Sequence, residues 1–249
     1  MNTNAQHHRV AAFFDLDGTL LEPPSLERQL VRYLAWRGEL TAGNWLRWTA
    51  RFLARIHRDP LDATHGNKAH YAGVRVNAMA SFCALFRRHP LLLIPAALAR
   101  LEWHASQGHQ IFFVSGTLRP LAECVAAVVA PLLRNPGGPA PIYVIATDLE
   151  ANGRQFTGRV RGEAVCGRAK ASAIARVAVD HQLDLNGSFA YGDRYSDRWI
   201  LASVGHPAAV NPCFRLRLLA GRCGWPILRW KNSPAASPRP AVPHLQPTV

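Results

Sequence analysis

The sequence predicts an α/β fold, a Rossmann-like parallel sheet with an α-helical cap inserted after its first strand. Three observations predict it. Short apolar runs repeatedly end on a polar loop, at Asp15, at Ser115 and at Gly192-Asp193. Stretches of helical periodicity separate those runs. The interval 23–90 keeps that periodicity, offers no strand, and is too long for a plain loop.

In chain order, Val10 to Phe14 reads as the first buried strand, Ile111 to Val114 as the second and Ile142 to Ile145 as the third. Ser188 to Tyr191 is a weaker fourth. Each is a short apolar run bounded by turn formers. Ala96 to Gln107, Leu121 to Leu133 and Lys170 to Gln182 carry the helical pattern between them. Inside the insert, Leu26 to Trp36, Asn44 to His57 and Lys68 to Arg88 are the expected helices. Gly153 to Gly158 suggests a small hairpin after the third strand. The expected division is 1–22 and 91–232 for the sheet domain, 23–90 for the cap, and 233–249 for a proline-rich tail without stable structure. Parallel sheets collect ligands at the carboxyl ends of their strands, which is where Asp15, Ser115 and Asp193 fall.

The 249 residues suffice for a full core, and 49% of them are hydrophobic. Five cysteines, none in a Cys-x-x-Cys pair, argue against a disulfide framework or a zinc centre and for free thiols in a reducing cytoplasm. No apolar run is long enough to span a bilayer, and no secretory signal opens the chain. The net charge of +13 is carried almost wholly by arginine. A basic surface favours anionic partners, or it reflects composition alone.

The sharpest motif is Asp15-Leu16-Asp17-Gly18-Thr19. Two carboxylates side by side at a strand end repel each other unless a cation relieves them, and Mg2+ is the hard cation that takes oxygen ligands. Gly18 permits a tight turn that brings backbone N–H groups towards a phosphate, and Thr19 can brace the loop. Ser115-Gly116-Thr117 offers a hydroxyl and N–H groups to the same anion. Lys170 opens a helix and is one of only three lysines. A lysine there can reach a phosphate oxygen as a point charge. Asp193 and Asp197, four apart behind Gly192, can complete a magnesium site, Asp193 directly and Asp197 through water or by orienting its neighbours.

This order of motifs resembles the haloacid dehalogenase-like (HAD) superfamily of phosphatases, and the helical insert resembles the C1-type cap of its phosphoserine phosphatase-like branch, subfamily IB. Phe156-Thr157-Gly158 ahead of Cys166-Gly167, and Val204 to Pro212 followed by Leu216 to Pro226, are similar to that branch as well. The resemblance implies the HAD fold and a phosphoric monoester hydrolase that works through an aspartyl-phosphate. It implies Asp15 as nucleophile and magnesium ligand, and Asp17 as general acid–base with its carbonyl on the metal. It further implies Ser115 and Lys170 as the phosphate-binding pair, with Asp193 as the third metal ligand and Asp197 in support. Gly18, Thr19 and Gly116 complete the expected phosphate loop. Where phosphoserine-specific members carry a glutamate after the first motif, this chain has Pro24, with Glu22 nearby. Phosphoserine is therefore not the expected substrate.

The expected partner is a small phosphorylated metabolite or a lipid phosphate, with no specific nucleic acid. In the cap, Trp45, Trp48, Phe52 and Ile56 form an apolar stripe beside Arg47, Arg51 and Arg55. The stripe is expected to pack into the cap with the arginines in solvent. The alternative is a surface for anionic lipid, making peripheral contact with a membrane. Two rival functions share these residues: a phosphotransferase using the same aspartate, and a basic lipid- or nucleic-acid-binding protein on a phosphatase fold.

Overall fold

The structure, a computed structural model, describes residues 9–57, 64, 66–88, 93–135 and 138–230. The tail expected at 233–249 lies outside them. Six parallel strands form the main sheet: β1 (Ala11–Phe14), β2 (Gln110–Leu118), β3 (Ile142–Thr147), β6 (Phe189–Gly192), β7 (His206–Val210) and β8 (Ile227–Leu228). Their order across the sheet is β8-β7-β6-β1-β2-β3. A shorter antiparallel hairpin joins β4 (Leu149–Asn152) to β5 (Gln155–Val160). The helices are α1 (Leu26–Trp36), α2 (Ala42–Arg55), α3 (Val76–Arg88), α4 (Pro95–Ser106), α5 (Arg119–Val129), α6 (Arg168–Asp180), α7 (Arg198–Leu201) and α8 (Phe214–Cys223).

Alternation along β1 builds two cores. Ala12 and Phe14 face a large cluster with α4, α5 and the insert, whereas Ala11 and Phe13 face Ile174, Ile200 and Leu216 on the other side of the sheet. Strand β1 lies between β2 and β6, so the chain leaves it in both directions and a crevice opens beyond its carboxyl end. Asp15 stands there, its N–H donating to the Tyr191 carbonyl at 3.0 Å.

The four expected strands are present, and β7 and β8 extend the sheet beyond them. The helix expected over Lys68–Arg88 is corrected. A 3-10 turn covers Ala69–Tyr71, and α3 begins only at Val76. Gly73, at φ +83, breaks the run. The intervening chain pairs with the hairpin: Gly73 N–H donates to Phe156 O, Phe156 N–H to Val74 O and Val76 N–H to Arg154 O. The hairpin thus sits against the insert.

Helix α2 corrects its expectation in part. Arg47 and Arg55 are exposed as expected, but Arg51 donates to the Gly158 carbonyl at 3.0 Å, and the buried Asn44 donates to the carbonyls of His70 and Ala72. Of the apolar stripe, Trp48 and Phe52 are half-buried while Trp45 and Ile56 are exposed, and Leu46 and Leu53 beside it are 71% and 63% exposed. No helix among the described residues is long and apolar enough to cross a membrane.

Candidate active site

Lys170 is the centre of the site. It lies in the first turn of α6, only 4% exposed, where burial opposes its charge. Two carboxylates outweigh that cost. Its Nζ donates to Asp15 Oδ1 at 2.6 Å and to Asp197 Oδ1 at 2.7 Å, which holds the ammonium above its ordinary pKa. Both oxygens of Asp197 are engaged, for its Oδ2 accepts from the Arg194 N–H at 2.9 Å. Its place is to orient Lys170. Gly192 makes room for it, because a Cβ there would lie 2.6 Å from the Cβ of Asp197.

Asp15, Asp193 and Asp197 each bring a carboxylate oxygen within 4.8 Å of the others. Asp193 Oδ1 is buried without a hydrogen-bond partner. Burial drives the Asp15 carboxyl up to about 7; Lys170 pulls it down, and Asp197 and Asp17 push it back. Burial, then Asp15 and Asp197, raises Asp193 to about 8. An orphaned buried oxygen beside a second strained carboxylate is what a hard cation with oxygen ligands satisfies, so the donor set fits Mg2+.

The raised pKa values fix a sign. The folded state holds these protons more tightly than the unfolded chain, whose carboxyls titrate near 3.8. The pair therefore stabilises the metal-free fold most below that value, and the contribution is lost as pH rises through about 7 to about 8. In EDTA, the urea midpoint contributed by this pair should fall between pH 5 and pH 8. Added Mg2+ should raise the midpoint more at pH 8 than at pH 5. Equal magnesium effects at both pH values would contradict this.

Asp17 points elsewhere. Its Oδ1 accepts from the Leu26 N–H at 2.8 Å, tying it to the first turn of α1. Burial raises its pKa, opposed by that hydrogen bond. Gly18, at φ +90, does not offer its amide outward: the N–H donates to Leu21 O at 2.9 Å. Its task is to leave space, since a Cβ on it would lie 2.3 Å from Asp193 Oδ2. Thr19 is fully buried, and its hydroxyl has no hydrogen-bond partner. It neither braces the loop nor borders the cavity. Ser115 and Gly116 do border the cavity, at a bulge near the end of β2, and Ser115 Oγ accepts from the Thr117 N–H at 3.2 Å.

A cavity of about 990 Å3 opens over Asp15, Asp17, Ser115 and Lys170 and runs up to the insert. The insert contributes residues that sequence reasoning missed. Glu27, in the first turn of α1, accepts from Lys68 Nζ at 2.7 and 2.6 Å and from the Tyr71 hydroxyl at 3.2 Å. Among the described residues of the insert, the acid on the cavity wall is thus Glu27, and neither Glu22 nor Pro24 borders the space. His70 lies beside this group, stacked on Trp45 at 5.7 Å, its Nδ1 buried without a partner. Burial pushes its pKa down to about 4, so the ring is neutral. The one available signal was lysine scarcity, which marks Lys68 as it marks Lys170.

The sequence profile of the haloacid dehalogenase-like hydrolases matches residues 12–202. The phosphoserine phosphatase SerB1 of Mycobacterium tuberculosis is 29% identical over 232 residues, covering 88% of this chain and 70% of that protein. The histidinol-phosphatase of Neisseria meningitidis is 25% identical over 230 residues, covering 88% and 98%. A solved structure from Bordetella pertussis, of a protein of unknown function, superposes with a TM-score of 0.70 at 25% identity, covering 90% of this chain and all of that one.

Proposed function

The chain belongs to the haloacid dehalogenase-like hydrolase family, and from that premise we propose that it is a magnesium-dependent phosphatase that cleaves a small phosphate monoester through an aspartyl-phosphate on Asp15. The observation that carries the reading is the buried triad of Asp15, Lys170 and Asp197, which brings one carboxylate to a cavity of about 990 Å3. The curated relatives are named for phosphoserine and histidinol phosphate, and both names denote small phosphorylated metabolites.

Asp15, Asp193 and the Asp17 carbonyl would hold Mg2+, with Asp197 in support. When bound, the ion would neutralise charge on the phosphoryl oxygens and favour the ionised form of Asp15. Ser115 and Lys170 position the phosphoryl group. Asp15 attacks phosphorus, and the bond to the ester oxygen breaks. Asp17, whose pKa burial raises, gives a proton to that departing oxygen. It then takes a proton from the water that attacks the phosphorus of the aspartyl-phosphate, which frees inorganic phosphate and restores Asp15. Leu26 N–H fixes the reach of Asp17, so proton transfer depends on how the insert is seated.

Phosphate release from an aryl phosphate, with and without Mg2+, tests the activity. Release that is indifferent to EDTA would refute the metal requirement. Gly18→Ala should weaken the magnesium dependence about 10–100-fold, because the new methyl group displaces Asp193. A metal titration of the variant checks it, and wild-type affinity would remove Asp193 from the metal site.

A further inference from the structure

We propose that the outward face of α2 is the outer half of a leaving-group subsite, so that the alcohol released from the phosphate carries an extended apolar chain. This rests on the phosphatase reading and deepens it. The first observation is that α2 seats Asn44 and Arg51 against protein and leaves much of its apolar side open. Asn44 and Arg51, its polar side, are spent on the carbonyls of His70, Ala72 and Gly158. The helix is pinned by those bonds and cannot roll to hide its apolar side.

The second observation is continuity. Trp45 and Trp48 belong to that apolar side and also wall the cavity that leads to Asp15. Trp48 stacks on Phe52 at 5.3 Å, one turn further on. Beyond them lie Ile56, 38% exposed, Leu53, 63%, and Leu46, 71%. Residues three and four apart share one face of a helix, so these side chains make one apolar surface running from the cavity to solvent. Trp45 itself is 45% exposed, at the junction. An exposed apolar surface of this kind marks a binding site when it joins a ligand cavity.

Continuity with the cavity decides the occupant. A helix that docks on a lipid surface lays its whole apolar face into it, whereas here that face opens at Trp45 and Trp48 into the cavity over Asp15. Arg51 is spent on the Gly158 carbonyl, and Arg47 and Arg51 border an open groove beside Thr157 and Arg159, away from Trp45 and Trp48. Arg28 and Arg32 of α1 border the catalytic cavity, where they attract an anionic substrate from above. With a phosphate on Lys170 and Ser115, an attached chain would leave past Trp48 and Trp45 onto Leu46 and Leu53.

The test is the binding of n-alkylphosphonates, methyl to decyl and below their aggregation concentrations, to the full chain with Mg2+, followed by tryptophan fluorescence and calorimetry. Affinity should rise roughly fourfold per added methylene once the chain reaches the tryptophans. Leu46→Ser/Leu53→Ser should flatten that gradient for the longer chains, with methylphosphonate as the reference within each protein. Both leucines are mostly exposed, so the variant should keep its fold. A flat gradient in the wild type would overturn the proposal, and so would an unchanged gradient in the double variant. So would light scattering that finds a dimer which the variant dissociates, or sedimentation with anionic vesicles that the variant abolishes, since the face would then belong to another partner. Phosphonates bind without being cleaved. A normal gradient in a protein that hydrolyses no phosphate ester would therefore refute the phosphatase reading alone.

Discussion

Lys170→Met should destabilise the fold by about 3–5 kcal/mol at pH 8 and abolish turnover, because it leaves buried carboxylates without their cation. Asp15 and Asp197 lose their shared donor, and Asp193 stands beside them. The loss should shrink as pH falls to 5. Asp15 and Asp193 accept protons at about 7 and about 8, and a protonated acid no longer needs the ammonium. Urea unfolding in EDTA at the two pH values measures this directly. Lys170→Arg should recover much of the stability but little of the activity, since a planar guanidinium cannot sit between two carboxylates as a compact point charge does. If Lys170→Met kept wild-type stability at pH 8, the triad would not be the electrostatic centre of the site.

Asp15→Asn should lower turnover by about 10^4-fold or more, since an amide oxygen is a poor nucleophile and nothing nearby replaces it. The same change should leave the metal-free protein at least as stable at pH 8. The folded state resists the ionised form of Asp15, so a neutral isostere relieves that cost, and Lys170 keeps its bond to Asp197. Activity and stability should therefore move in opposite directions. A variant that lost activity because it unfolded would show a lower thermal midpoint, which this reasoning forbids.

The sheet was legible because its signals are local. Phe13 and Phe14 precede Asp15, Phe112 and Phe113 precede Ser115, and each apolar run meets its polar loop within a few residues. The site followed from the same strand ends, and Asp15, Lys170 and Asp197 do meet across 155 and 27 residues of separation. Strands β7 and β8, at one end of the sheet, were harder, because Pro207 stands within one and the other is two residues long. The exposure of the apolar side of α2 was not legible. Its apolar and arginine sides have the ordinary amphipathic spacing, and burying the apolar side is the usual outcome. What reverses it is long-range: the Arg51 bond to Gly158 comes from a hairpin more than a hundred residues away. Glu27, Lys68 and His70 escaped for a similar reason, since only the folded insert brings them over the sheet edge. Gly18 was recognised as a turn former, but its closeness to Asp193 depends on two strands lying side by side.

The central claim is that Asp15 becomes covalently phosphorylated. The most direct measurement is an acid quench of the wild type during turnover of an aryl phosphate, followed by intact-mass and peptide mass spectrometry. The expected result is one added phosphoryl group on the peptide containing Asp15, removed by hydroxylamine and absent from Asp15→Asn. A phosphorylated peptide elsewhere in the chain, or rapid turnover with no phosphorylated protein at any quench time, would contradict it.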